Sequence, residues 1–415
     1  MRGCSKLKKL KKSKIMQKSH DKRSFLCFGE NMLRFAPLSE QDEDWGRGRP
    51  SARAKALFSI GGDELNVAVC LSGFGNWNCN HATILPDTIL GKIVSDCAKD
   101  ANVRMHAVTD YSESGQIGVF YVIPKEKRVQ YQRRRSSFWQ FPHRFDWHKI
   151  IKNTRKESGS NLWVHQTGIT PLCGPHALKN WKNLMRSCAE LNVPVSLDLN
   201  HRPALGTFSK LWEIVRSELF CVRFLVLSRA SLCNLGTYLG LKDRVRLVER
   251  SPFEIEGNFN TWLDLMNEVH RILNGPILCV CFKTRDQKGL QTRWSAAIDG
   301  CDTYTSKSSP VLHIPKDECG GGSAWSAGLI DKLTENQVRW WQKDKNKAWC
   351  VDRTSLQSAL RRADLSAALC QEERGDHSIV SRLDIERNES LYQGRVADIR
   401  NSPPLQRQLT MRANL

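Results

Sequence analysis

Three consecutive glycines, Gly320-Gly321-Gly322, stand directly before Ser323 and an apolar-periodic stretch, Ala324-Trp325-Ser326-Ala327-Gly328-Leu329-Ile330. Without Cβ atoms in the way, successive backbone N–H groups can converge on one point. A helix start adds unpaired N–H donors and partial positive charge. Together these make a cradle for phosphate, or for charge that develops on oxygen during phosphoryl transfer. The plainer reading of the same residues is a flexible loop with Ser323 as an ordinary N-cap. A second pair, Gly61-Gly62, precedes Asp63-Glu64-Leu65-Asn66-Val67-Ala68, another helix start. Alone, such a pair is most often only a turn. Asp198-Leu199-Asn200-His201-Arg202 closes an apolar run, and by itself reads as a strand-end turn with a solvated arginine.

These segments need elements to hold them. Short apolar runs at Phe25–Gly29, His81–Leu85, Leu162–His165, Pro194–Asp198, Phe224–Leu227 and Ile277–Phe282 have the length and bounds of buried strands. Helical stretches at Asn66–Leu71, Ile89–Ala101, Ala177–Leu191, Leu211–Leu219 and Trp262–Leu273 alternate with them. Such alternation predicts a mostly parallel sheet covered on both faces. In that class ligands bind beyond the carboxyl ends of the strands. Gly118–Val122 and Arg128–Tyr131 flank the turn Pro124–Lys127 and predict a hairpin.

The two glycine segments resemble the signatures of the ribokinase-like (phosphofructokinase-B) carbohydrate kinases. Gly61, Gly62 and Asn66 match the family's Gly-Gly-x-x-x-Asn-x-Ala segment, in which the glycines admit the sugar and the asparagine contacts a sugar hydroxyl. Asp317, Gly320, Gly321, Gly322, Ala324, Ala327, Gly328 and Leu329 match its phosphate-loop segment. Asp198 to Arg202 looks like the 2-keto-3-deoxygluconate kinase branch, where the arginine holds an acidic sugar; a guanidinium fork suits a carboxylate. Tyr131 and Arg133, followed by Ser136-Ser137-Phe138, resemble that branch's lid segment, whose Tyr and Arg reach the substrate. Gly168-Ile169-Thr170-Pro171, Gly375-Asp376 and Gly394-Arg395-Val396 match more weakly. The resemblance spans about Phe25 to Arg400.

It implies a doubly wound α/β domain over residues 24–400 with a small β lid drawn from about 30–60 and 112–136. It implies ATP and Mg²⁺ as cofactors, a sugar or sugar acid as acceptor, and transfer of the γ-phosphoryl group to an alcohol. Family members often dimerise through their lids, so a homodimer is among the expectations.

The chain departs from the pattern twice. The family's base is an aspartate at the position of Ser323, and a serine hydroxyl does not usefully ionise near neutral pH. Where the family carries Asn-x-x-Glu to hold its metal-linked water network, Ser228 and Ser231 stand. No residue is expected to ligate metal directly. Asp317, the nearest aspartate in sequence, is the remaining carboxylate that could act through a water. Two readings follow: a kinase, impaired or re-equipped at its base, and a non-catalytic sugar- or nucleotide-binding relative of the same fold.

Composition narrows the setting. The 415 residues are 40% hydrophobic, enough for a large core, and the formal net charge is +20. Much of that charge lies between Lys6 and Arg23, so residues 1–23 read as a disordered basic tail. A nucleic-acid partner would rest on that charge alone. No apolar run is long enough for a membrane span, and the N-terminus lacks a signal-peptide core. The fifteen cysteines are scattered, many within apolar runs, and read as small core residues of a reducing, cytoplasmic compartment. The lone Cys173-Gly174-Pro175-His176 has no second ligand pair and reads as a loop. Asp42–Lys55 reads as a loop and residues 401–415 as a disordered tail.

Overall fold

The computed structural model describes residues 23–37, 55–123, 128–157, 162–250, 259–285, 289–308, 310–335, 353–377 and 380–392. Almost all of the basic tail, the loop over 42–54, the turn Pro124–Lys127, Gly394-Arg395-Val396 and the C-terminal tail lie outside them.

The strands are β1 Arg23–Phe28, β2 Met32–Pro37, β3 Ala56–Gly61, β4 Trp77–Pro86, β5 Val103–Asp110, β6 Gly118–Ile123, β7 Arg128–Gln132, β8 Leu162–Thr167, β9 Val195–Asp198, β10 Val222–Ser228, β11 Ile277–Arg285, β12 Gln291–Asp299, β13 Asp302–Thr305 and β14 Val311–His313. The α-helices are α1 Asp63–Phe74, α2 Ile89–Asp100, α3 Ser137–Gln140, α4 Trp147–Glu157, α5 Pro175–Glu190, α6 Phe208–Arg216, α7 Arg229–Tyr238, α8 Lys242–Arg250, α9 Phe259–Leu273, α10 Gly321–Leu333, α11 Arg353–Gln371 and α12 Arg382–Tyr392.

The main sheet runs β13-β12-β11-β10-β9-β8-β1-β4-β5, with β14 also paired to β12. From β5 to β11 every pairing is parallel, and β12 to β14 add an antiparallel end. Alternate residues of β1 point to opposite faces. Phe25 and Cys27 enter one core with α1, α10 and α11, while Leu26 and Phe28 enter a second core on the other face with α5 and α9. The doubly wound α/β architecture expected from the alternation is thus present.

The order reverses beside β1. The chain lays β4 and β5 on one side of it, then returns to place β8, β9, β10 and β11 on the other. A crevice opens at such a switch point, outside the carboxyl ends of the strands. Over it stands a separate four-stranded sheet, β3-β2-β6-β7. It contains the expected hairpin, β6 antiparallel to β7, while β2 pairs β3 antiparallel and β6 parallel.

α1 and α10 carry apolar or small residues on nearly every side and are buried almost throughout. Such helices belong inside a core, not on its surface. Gly328 permits this for α10, since a Cβ there would come within 2.5 Å of Ser366 Oγ on α11. One buried carboxylate, Asp331 of α10, anchors the arrangement. It pairs with Arg23 at 2.7 Å, Arg362 at 2.8 Å and Arg382 at 2.8 Å, and accepts from Trp77 Nε1 at 2.9 Å.

Two sequence expectations need adjustment. Cys173-Gly174-Pro175-His176 is no loop: Pro175 opens α5, as proline does at a first helical position, and the Cys173 thiol is buried. The antiparallel strands β12 to β14 and the helix α11 were not anticipated. All described cysteines are free thiols, most of them buried. Among the described residues no helix is long and apolar enough to cross a membrane.

Candidate active site

Two helix N-termini meet beneath the small sheet. The backbone at Gly62 has φ 150°, and its carbonyl accepts from Asn66 N at 2.8 Å to start α1. Gly61 lies against the Asp376 carboxylate and the Phe120 ring so closely that a Cβ would overlap both. Opposite, Gly320 takes a left-handed φ of 74°, and a Cβ there would come 2.5 Å from the Asp376 carbonyl oxygen. Gly321 packs on Gln371, whereas a Cβ at Gly322 would meet nothing within 4 Å. The turn is therefore closed behind Gly320 and Gly321 and open in front of Gly322. Ser323 follows, largely buried, on the first turn of α10.

The sequence expectations for this region divide. Ser323 comes together with the first glycine pair, since its Oγ donates to Asp63 Oδ1 at 3.4 Å. Asp63 also faces Arg202, whose Nη2 is 3.9 Å from Oδ1. Arg202 is presented by a turn in which Asn200 adopts φ 36° and donates its N–H to Asp198 Oδ1 at 3.0 Å. Asparagine tolerates that backbone, and the side-chain bond fixes it. Burial would lower the Arg202 guanidinium, but Asp63, Tyr131 and Asp198 outweigh it and hold the group above its ordinary value. Its Nε is buried without a protein partner, as is the Asn66 Oδ1. Tyr131 lies beside Arg202 and Asp63, and burial raises its phenol.

Two expected substrate or catalytic groups are occupied elsewhere. Arg133 is held by a buried carboxylate. Its Nε donates to Glu30 Oε2 at 2.7 Å, and both side chains are buried. Glu30 also accepts from Ser136 Oγ at 2.6 Å and Trp139 Nε1 at 3.3 Å. A buried carboxylate needs a cation, and Arg133 is the one within reach. Asp317 is bound to Arg34 of β2 and receives the Cys319 N–H at 3.0 Å and the Gly375 N–H at 3.1 Å. It braces the glycine turn instead of facing the crevice. Asp376 lies 3.3 Å from Arg34 as well, so one buried arginine of the small sheet meets two carboxylates. Burial pushes Asp376 up to about 7, with Arg34 pulling the other way.

Ser228 and Ser231 close a helix end. Ser228 Oγ accepts the Ser231 N–H at 3.1 Å and donates to Ser231 Oγ at 3.0 Å, capping α7. Among the described residues no group of three His, Cys, Asp or Glu side chains is disposed to hold a metal ion.

Residues that the sequence alone did not single out complete the site. Glu64 is buried, accepting from Thr167 Oγ1 at 2.6 Å and Thr170 Oγ1 at 2.7 Å, and burial pushes its carboxyl up to about 7. Asp198, already marked in the sequence by the segment that ends at Arg202, is raised to about 7 by burial too. Arg293 Nη2 donates to Gln371 Oε1 at 2.8 Å, and Gln371 Nε2 donates to the Glu318 carbonyl at 2.9 Å. Arg285 lies 2.7 Å and Lys283 3.8 Å from the Glu318 carboxylate. Lys283 and Arg285 thus stand at the Glu318 side of the glycine turn, and Arg293 reaches it through Gln371, while Asp317 braces the turn from behind. The sequence carries no signal for these cations, because the pairing of Lys283 with Arg293 across β11 and β12 appears only in the fold.

No family model matches the chain and no curated protein matches it. Solved structures do. The 2-dehydro-3-deoxygluconokinase of Thermotoga maritima superposes with a TM-score of 0.69 at 20% identity, over 89% of this chain and 99% of its own. The fold is that of the ribokinase-like carbohydrate kinases. A PfkB family carbohydrate kinase from Listeria grayi gives 0.66 at 18% identity, over 89% of this chain and 100% of that one. An aminoimidazole riboside kinase from Salmonella enterica, complexed with aminoimidazole riboside and an ATP analog, gives 0.60 at 15% identity, over 88% and 99%. In the ribokinase-like fold of this chain, the two glycine segments identified in the sequence face one another across the crevice at the switch point.

Proposed function

We propose that the protein is an ATP-dependent carbohydrate kinase acting on a sugar or sugar acid. The observation that carries this reading is the open cradle at Gly322, on the N-terminus of α10, with Lys283 and Arg285 at the Glu318 side of the same turn. Backbone donors and fixed cations of this kind suit a polyphosphate tail. Phosphoryl transfer asks for positioning and charge stabilisation more than for covalent chemistry. Mg²⁺ would arrive bound to the ATP phosphates, as part of the substrate, and would neutralise their charge. Arg202, Asn66 and Tyr131 would hold the acceptor. The unpartnered Arg202 Nε and Asn66 Oδ1 are a buried donor and acceptor of the kind a sugar satisfies. The guanidinium favours an acidic sugar, and the 2-dehydro-3-deoxygluconokinase likeness supports that choice. The small sheet over the crevice would act as a lid that excludes water.

The second reading, ligand recognition without turnover, is favoured by Ser323 at the family's base position. Calorimetric titration separates ligand binding from its absence. ATP-Mg²⁺ and 2-keto-3-deoxygluconate are each expected to bind, and Arg202→Leu is expected to weaken the sugar acid at least about tenfold while leaving ATP unchanged. No heat from either ligand refutes both readings.

A further inference from the structure

The base position holds a serine, yet a carboxylate has been brought to it from the far side of the crevice. We infer that Asp63 is the proton acceptor of this site, reached through the Ser323 hydroxyl. This rests on the kinase reading.

Four observations meet at Asp63. Ser323 Oγ donates to its Oδ1 at 3.4 Å, a long contact of the kind that tightens when a substrate closes the site. Arg202, placed to hold the acceptor, lies 3.9 Å from the same oxygen. Asp63 is the first residue of α1, where unpaired N–H groups favour negative charge. One helical turn on from Asp63, the buried Asn66 Oδ1 has no protein partner. The alternatives nearby are committed elsewhere. Asp317 and Asp376 share Arg34. Glu64 binds two threonine hydroxyls, and Asp198 Oδ1 accepts the Asn200 N–H that shapes the Arg202 turn.

The step balances. The substrate oxygen bonds to the γ-phosphorus of ATP as the bond from that phosphorus to the β–γ bridging oxygen breaks, and ADP leaves with the electron pair. The substrate hydroxyl proton passes to Ser323 Oγ, which gives its own proton to Asp63 Oδ1. Asp63 then returns a proton to water. A serine that cannot ionise can still relay, because it gains one proton as it loses another.

The test is ADP release from ATP-Mg²⁺ with 2-keto-3-deoxygluconate, fructose and ribose in turn. It compares the parent with Asp63→Asn, Ser323→Asp and the double variant, with ATP affinity measured by calorimetry. Asp63→Asn is expected to lower kcat about 10²–10⁴-fold, the usual worth of a positioned base, with ATP affinity unchanged. The double variant is expected to regain turnover, because a carboxylate at 323 reaches the hydroxyl without a relay. A purely structural Asp63 would not be bypassed in this way. Asp63→Asn within threefold of the parent kcat, or a loss confined to KM, overturns the inference. So does an Asp63→Asn loss that Ser323→Asp does not rescue. An inactive parent beside an active Ser323→Asp overturns it while leaving the kinase scaffold standing. No turnover in any of the four overturns the kinase reading itself.

Discussion

Replacing Gly322 by alanine separates the stability of the glycine turn from its use. Gly322 is the second residue of α10, its φ is not left-handed, and a Cβ there meets nothing within 4 Å. Alanine in a compatible helical position stabilises by about 0.4–1 kcal/mol, chiefly by restricting the unfolded chain. For a domain of this size that is a rise in Tm of roughly 0.5–1.5 °C. The new methyl group, however, stands on the open side of the cradle. A phosphate oxygen accepting from these backbone N–H groups must approach within about 3 Å, and the methyl blocks that approach. ATP-Mg²⁺ affinity is expected to fall at least about tenfold, a loss of roughly 1.4 kcal/mol. The neighbours behave oppositely. Gly320→Ala is strained at φ 74° and drives its Cβ to 2.5 Å from the Asp376 carbonyl, so it destabilises the protein. The assays are thermal unfolding and calorimetric titration. A Gly322→Ala protein that is more stable and binds ATP-Mg²⁺ like the parent would refute the cradle. One that is less stable would refute the packing argument beneath it.

Other expectations follow from the buried charges. Arg34→Met strips two buried carboxylates, Asp317 and Asp376, of their shared cation. Removing one partner from a buried pair typically costs about 3–5 kcal/mol, and urea unfolding at pH 7.5 should show a loss of that order; a loss below about 1 kcal/mol would contradict the arrangement. Glu64 is pushed up to about 7 in the folded protein, above the unfolded value of 4.5. The folded state therefore binds the extra proton between these values, and its contribution to stability is lost as pH rises through that window. Relative to Glu64→Gln, the parent should lose about 1.4 kcal/mol per pH unit between pH 5 and 7 and then level off. A difference independent of pH would show that Glu64 ionises normally.

Much of the fold was legible because its strands are apolar runs of strand length and its helices have helical spacing. Phe25–Gly29, Leu162–His165 and Ile277–Phe282 each became a strand of the parallel sheet. Gly61-Gly62 and Gly320-Gly321-Gly322 marked the two helix starts that face the crevice. What the sequence hid was partnership across the chain. Arg133 reads as a free lid arginine until Glu30, 103 residues away, is seen against it. Asp317 reads as a spare carboxylate until Arg34, 283 residues away, claims it. Asp63 drew no notice as a base, since its nearness to Ser323 spans 260 residues. Local spacing reports local structure, and long-range ion pairing appears only once the sheet order is known.

The account's central claim is that the crevice transfers phosphoryl from ATP to a sugar hydroxyl. Phosphorus NMR of the protein with ATP-Mg²⁺ and 2-keto-3-deoxygluconate tests it most directly, because it tells transfer from hydrolysis. A sugar phosphomonoester signal growing as the γ-phosphate signal fades is the predicted result. Both ligands bound, with the ATP signals unchanged or only inorganic phosphate appearing, would contradict it.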